Sequence, residues 1–192
     1  MAADAPSGEV YKDQKSRAAR GLRLLAGVFD PRAWAHLFKI VNYYNYTHVT
    51  PLRSIPKGPG CAISPTASFS NPQNIRFGAR VRIGADCTLW GGPGSGKLTL
   101  GDDVLLGPRV MMTAATYRFN DGSPVTDQAM KEGNITIGRD VWIATGAIIL
   151  PGAEIGAGAV IGAHAIVRGK VAPFEIVASP LAKVVGQRSS SA

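Results

Sequence analysis

Bulky apolar residues recur at every sixth position through the last third of the chain, and this spacing leaves few folds open. Ile137, Ile143, Ile149, Ile155, Ile161 and Val167 stand six apart. Four residues after each comes a small or β-branched one: Val141, Ala147, Ala153, Ala159, Ala165 and Val171. The same register runs upstream through Phe77, Ile83 and Leu89, with Val81 and Cys87 at the small positions. It continues in Leu100, Leu106 and Met112, with Val104 and Val110. Two stretches break the phase, GGPGSGK at 91–97 and residues 113–134. A period of six matches neither the turn of an α-helix nor a heptad. It is a multiple of two, so short strands can aim every sixth side chain inward.

A chain that turns a corner after each such hexad closes a triangle in three hexads, about 18 residues per coil, which is the hexapeptide parallel β-helix. The bulky residue fills the interior, and the small one fits the crowded space beside a corner. Gly and Asn near the corners are expected to supply the positive φ that turns require. Stacked isoleucines make such a core with few aromatics, in keeping with 7% aromatic and 45% apolar residues in a chain of 192. The expected organisation is a partly helical arm and connector over 1–60, the prism over 61–172 and a tail over 173–192. GGPGSGK lacks the spacing and the Ser/Thr of a phosphate loop and reads as a flexible excursion between coils. Cys87 falls on an interior site and reads as a buried, inert thiol.

The arm has a different pattern. Residues 8–27 read as a weak basic helix. Asp30-Pro31 makes a helix start, with Asp as N-cap and Pro in the first turn. Trp34, Leu37, Phe38 and Val41 then fall on one apolar face. Pro51, Pro56 and Pro59 predict an extended connector to about residue 62. The net charge is +8, and residues 1–60 hold Lys and Arg in excess over Asp and Glu. Two readings of the arm stay open: a helix packed on the coils or on another subunit, and a helix at an anionic membrane surface. His36 and His48 read as structural residues.

The composition excludes disorder, and no apolar run is long enough to span a bilayer. The first residues, MAADAPSGEVYKDQKSRAARG, hold no apolar signal core. Two cysteines without metal-ligand spacing predict neither a disulfide framework nor a metal site. A cytoplasmic protein is the expectation. The basic arm lacks the interleaved aromatic and basic pattern of nucleic-acid readers, so no nucleic-acid partner is expected.

IGRDVWIATGAIILPG (137–152) and PFEIVASPLAKVV (173–185) are the most specific segments of the chain. Through them, residues 62–188 resemble the hexapeptide-repeat acyltransferases, in particular the maltose, galactoside and nodulation-factor O-acetyltransferases and the sugar acetyltransferases of polysaccharide biosynthesis. The resemblance implies an all-β fold, a left-handed parallel β-helix with a helical N-terminal arm. It also implies a homotrimer, with acetyl-coenzyme A lying between adjacent prisms and no metal. Carried over by motif position, the residues facing the cofactor are Trp142, Ala144 and Thr145, then Ala163, Ala165 and Arg168, and Lys183 in the closing segment. Ala144 stands where a Gly is usual, and Ser179-Pro180-Leu181 departs from the usual tail. The 113–134 interruption becomes the loop that shapes the acceptor pocket.

One departure bears on catalysis. Relatives carry a His in this loop as general base, and its pKa near neutrality suits that task. Counting through LLGPRVMMTAATYRFNDGS puts Tyr117 at that position. A phenol with pKa near 10 is ionised at only about one part in a thousand at pH 7. Four alternatives follow. Tyr117 is activated by a cation such as Arg118; Asp121 is the base; the acceptor is an amine that needs little base; or the chain is a catalytically silent trimeric prism with a binding or structural role. His164 also stands where relatives have Gly, facing outward. Asp102, Arg118 and Asn120 are the polar residues placed to bind a sugar or glycan-precursor acceptor.

Overall fold

The computed structural model describes residues 16–179. The chain divides into two compact units at Tyr43–Tyr44. The first holds α1 (Arg17–Val28) and nearly all of α2 (Pro31–Tyr44). The expected cap is present, since the Arg32 N–H donates to Asp30 Oδ1 at 2.9 Å. Between the two helices, the Trp34 indole N–H donates to the Val28 carbonyl at 2.8 Å. No residue of α2 is buried, so its apolar face is open. Residues 8–15 of the expected basic helix lie outside the described residues.

The second unit opens with a π-helical turn, Asn45–Val49, and the short α3, Thr50–Ser54. The connector is therefore helical as far as Ser54, where Pro51 predicts an extended chain, and non-helical at Pro56 and Pro59 as expected. Pro51 sits in the first turn of α3, where no intrahelical N–H bond is required of it. His48 is buried beneath this segment. Its Nδ1 lies 2.6 Å from the Ala67 carbonyl, and its ring stacks on Tyr44 at 5.1 Å.

From Ala62 onward the chain is a parallel β-helix of three ladders. The first stacks β1 (Ala62–Ile63), β4 (Arg82–Ile83), β7 (Leu105–Leu106), β12 (Trp142–Ile143), β15 (Val160–Ile161) and β18 (Ile176–Val177). The second stacks β2 (Ser68–Ser70), β5 (Thr88–Trp90), β8 (Met111–Thr113), β13 (Ile148–Ile149) and β16 (Ile166–Val167). The third stacks β3 (Ile75–Phe77), β6 (Leu98–Leu100), β11 (Ile135–Ile137), β14 (Glu154–Ile155) and β17 (Lys170–Val171). Their hexad residues are buried as one continuous core. Cys87 is fully buried among them, and burial pushes its thiol pKa up.

Coil length varies where the phase slips. Trp142 pairs with Val160, the 18-residue coil expected. At the first coil Ala62 pairs with Arg82, two residues more, because a 3-10 turn at Pro72–Asn74 fills one corner. The last coil is two residues short, with Ile155 opposite Val171. Val171 therefore takes the bulky interior position and not the small one that counting assigns it. The corners differ too. Positive φ is carried by Arg80, Asp86, Asp103, Arg109, Asp140 and His164 as well as by Asn71 and several glycines. The glycine that follows a bulky residue serves close approach instead. A Cβ on Gly138 would lie 2.5 Å from the backbone nitrogen of Ala157 in the next coil.

Two of the three outer faces are apolar over their later coils, beyond Arg82 in the first and Ser68 and Thr88 in the second. The first ladder turns Leu105, Trp142, Val160 and Ile176 outward, and the second turns out Met111, Ile148 and Ile166. The third is polar, with Arg76, Thr99, Thr136, Glu154 and Lys170 in register.

Candidate active site

The long interruption of the hexads is an ordered excursion. The Gly133 N–H donates to the Ala114 carbonyl at 2.9 Å and closes its neck. Within it, β9 (Ala115–Tyr117) and β10 (Met130–Glu132) pair antiparallel, with Tyr117 opposite Met130 and Thr116 opposite Lys131. A cavity of about 500 Å³ opens against this hairpin, lined by Tyr117, Arg118, Asn120, Asp121 and Arg168, with Gln128 and Lys131 among its other walls. No histidine lines it.

The second interruption explains what holds the hairpin in place. The Glu132 carboxylate sits in a ring of backbone donors from the glycine-rich excursion. It accepts from Gly94 N–H at 2.7 Å, Ser95 N–H at 2.5 Å and Gly96 N–H at 2.7 Å, and from the Ser95 hydroxyl at 3.1 Å. Successive N–H groups aimed at one point form an anion nest, filled here by the chain's own carboxylate. Lys97 N–H also donates to Asn134 Oδ1 at 2.9 Å. Residues 91–97 are thus tied to the base of the hairpin, where the sequence predicts a flexible excursion.

The nest donors, Gly94 first, hold the Glu132 carboxyl below the ordinary Glu range. A depressed carboxyl favours the fold above its unfolded pKa, and that contribution is lost as the pH falls through the folded pKa. Amide exchange at Gly94, Ser95 and Gly96 is therefore expected to accelerate below about pH 4, relative to the core strands. In Glu132→Gln the same amides are expected to exchange fast at neutral pH. Unchanged protection in that variant would show that the carboxylate does not anchor the hairpin.

The candidate residues divide into three places. Tyr117, Arg118, Asn120, Asp121 and Arg168 come together in the cavity. Asp121 is engaged, accepting from the Ser123 hydroxyl at 2.5 Å and the Ser123 N–H at 2.9 Å. The hydroxyl bond, then the amide bond, lowers its pKa, which weakens it as a base. Trp142 stands half-exposed on the first ladder, and Ala144, Thr145 and Ala163 follow at the neighbouring corner. The backbone there is occupied by coil stacking: Ala144 N–H donates to Ile161, and the Thr145 carbonyl accepts from His164 N–H. Ala165 is buried in the prism, so its side chain faces the core and not a cofactor. Arg168 joins the Tyr117 cavity rather than the Trp142 group. Asp102 is not in the cavity; its Oδ1 accepts the Ala79 N–H at 2.8 Å and bridges two coils. His164 holds a left-handed corner, its ring over Gly146. Lys183 lies outside the described residues. Gln128, Lys131 and Glu132 are not distinguished by the sequence pattern, because their positions depend on how the non-periodic loop folds.

Residues 134–169 match the family model "Bacterial transferase hexapeptide (six repeats)". Nodulation protein L of Rhizobium meliloti (strain 1021) is 35% identical over 95 residues, 49% of each protein. Galactoside O-acetyltransferase of Escherichia coli (strain K12) is 31% identical over 133 residues, 67% of this chain and 61% of that protein. The chain thus spans about half the length of the nodulation proteins it matches. A solved galactoside acetyltransferase in complex with coenzyme A superimposes with a TM-score of 0.57 at 24% identity, covering 71% of this chain and 72% of that one. The fold is the left-handed hexapeptide-repeat β-helix that the sequence predicts. Among the described residues no cluster of His, Cys, Asp or Glu is arranged to hold a metal ion, and no helix is long and apolar enough to cross a membrane.

Proposed function

We propose that this chain is an acyltransferase that moves the acetyl group of acetyl-coenzyme A to a hydroxyl of a sugar or polysaccharide precursor. The observation that carries the reading is the Tyr117 cavity, a pocket of about 500 Å³ that brings Tyr117, Arg118, Asn120 and Asp121 together in an anchored loop on a hexapeptide-repeat prism. The galactoside O-acetyltransferase relative supports the reaction class, and the coenzyme A complex of a protein of this fold supports the donor.

In this reading the acceptor oxygen attacks the thioester carbonyl directly. The C–S bond breaks, the hydroxyl proton passes to a group on the cavity wall and is handed on to the departing sulfur, and coenzyme A leaves as the thiol. Backbone N–H groups stabilise the oxyanion. Tyr117 is the group proposed to handle that proton, because the Asp121 carboxylate is already engaged by Ser123. Trp142 and the corner at Ala144, Thr145 and Ala163 are proposed to face the pantetheine arm, and Lys183 its phosphates.

The working unit proposed is a homotrimer. Its support is the set of apolar side chains turned outward from two ladders, of which Leu105, Trp142, Ile166 and Ile176 stand exposed on a lone prism. Dependence on a coenzyme A thioester fits a cytoplasmic protein. The arm is proposed to touch the membrane surface. Trp34, Leu37, Phe38 and Val41 are all exposed on α2, and Arg17, Arg23, Arg32 and Lys39 are basic residues suited to anionic lipid. Co-sedimentation with phosphatidylglycerol vesicles, lost on deleting residues 1–43, checks that contact.

Thiol release from acetyl-coenzyme A, followed across a panel of sugars, tests the reaction. Release that depends on one acceptor class supports it. The absence of acceptor-dependent release with a protein that still binds coenzyme A would favour the silent prism, the reading suggested by a cavity without histidine.

A further inference from the structure

The lining of the cavity against the hairpin is net positive, with three cations and one carboxylate, Asp121. Arg118, Lys131 and Arg168 all line it. The ion pairs among the described residues are Arg80–Asp103 and Lys170–Glu154, so none of the three is in one. The acids nearest in sequence form no ion pair with them. Glu132, next to Lys131, is held in the nest of Gly94, Ser95 and Gly96, and Asp121 is turned onto Ser123. Asp127 does not line the cavity.

An independent observation lies in the same wall. Gln128 is 6% exposed. Its Nε2 donates to the Ser123 carbonyl at 2.7 Å, which fixes the amide so that Oε1 is the free end. That oxygen is buried and has no hydrogen-bond partner. Buried acceptors are almost always paired, and an unpaired one beside a cavity is suited to a donor brought by a ligand.

We infer that the cavity selects an anionic acceptor: a sugar or glycan precursor bearing a carboxylate or a phosphate. Arg118, Lys131 and Arg168 hold the anion through charge-assisted hydrogen bonds, and one ligand hydroxyl donates to Gln128 Oε1. The inference rests on the acyl-transfer reading only in calling this ligand the acceptor. The binding itself is measured without turnover.

The test is isothermal titration of the full-length protein with glucuronate, glucose 1-phosphate and glucose, in the absence of coenzyme A. At least one anion is expected to bind about tenfold more tightly than glucose. Lys131→Gln is expected to weaken that anion about tenfold and to leave glucose unchanged, with a thermal melt matching the parent, and Arg118→Gln is expected to weaken the anion at least as much. Gln128→Leu is expected to weaken all three ligands. A carboxylate and a phosphate are told apart by which of the two anions binds. Equal binding of glucose and both anions would overturn the inference, as would no binding of any of them. So would a loss in Lys131→Gln that falls on acetyl-coenzyme A and spares the sugars, since the cations would then serve the donor's phosphates. Tight anion binding without any acetyl transfer would uphold the inference and remove the acyl-transfer reading.

Discussion

Tyr117→Phe is expected to slow acetyl transfer by about 10²–10⁴, the usual contribution of a positioned proton-transfer group. The substitution removes one oxygen and keeps the ring. Tyr117 is half-exposed at the cavity edge and paired across the hairpin with Met130, so neither packing nor strand register depends on that oxygen. Affinity for coenzyme A should therefore persist while the rate falls. Tyr117→His provides the complementary arm. An imidazole with an ordinary pKa of about 6.5 is a far more abundant base at neutral pH than a phenol. That variant should keep or exceed the parent rate and acquire an acid limb near pH 6–7. A Phe variant at the parental rate would remove Tyr117 from the chemistry. An inactive parent that gains activity as Tyr117→His would identify a silent prism with an intact groove.

Gly138→Val is expected to cost about 3 kcal/mol or more, through overpacking against backbone. The Gly138 N–H donates to the Ile155 carbonyl at 2.8 Å, holding two coils in register. A side chain there would meet the nitrogen of Ala157 at 2.5 Å, its Cα at 2.8 Å and the carbonyl carbon of Gly156 at 2.9 Å. These are backbone atoms of a continuous ladder, so they cannot swing aside as a flexible side chain can. For a chain of this size the melting temperature should fall by about 6–12 °C. Gly152 is the control. It has φ +86° but open space where a Cβ would stand. Gly152→Ala should cost only about 1–2 kcal/mol, from the left-handed backbone. Equal melting shifts for the two variants would mean that close coil approach does not set the glycine requirement at Gly138.

The sequence is most legible where the phase is unbroken. From Ile137 to Ile161 each hexad residue lies where counting places it, because every corner there takes the same number of residues. Legibility ends where a corner changes length. Phe69 joins the core of a first coil that simple counting from Phe77 misses, since Pro72–Asn74 adds a turn. Val171 moves to the bulky position because the corner at Arg168–Gly169 is short. Corner chemistry also reads differently in three dimensions. Asp and Arg residues hold many left-handed positions, whereas Gly138 is needed for space.

The candidate site was legible in part, and for a similar reason. The break at 113–134 marks a loop, and four of its proposed residues do meet in one cavity, joined by Arg168 from the prism. The nest around Glu132 joins segments 36–38 residues apart, a distance that no local pattern encodes. The free oxygen of Gln128 depends on where the Ser123 carbonyl falls. Asp102 reads as a ligand from type and place, but its carboxylate serves the stacking of two coils.

The proposed reaction passes an acetyl group from coenzyme A to a hydroxyl compound held in the Tyr117 cavity. Mass spectrometry of the acceptor recovered after incubation with isotopically labelled acetyl-coenzyme A measures that passage directly. One labelled acetyl group is expected on the acceptor, formed by the parent protein and strongly reduced with Tyr117→Phe. An acceptor recovered unlabelled from the whole sugar panel, with coenzyme A still bound by the protein, would contradict it.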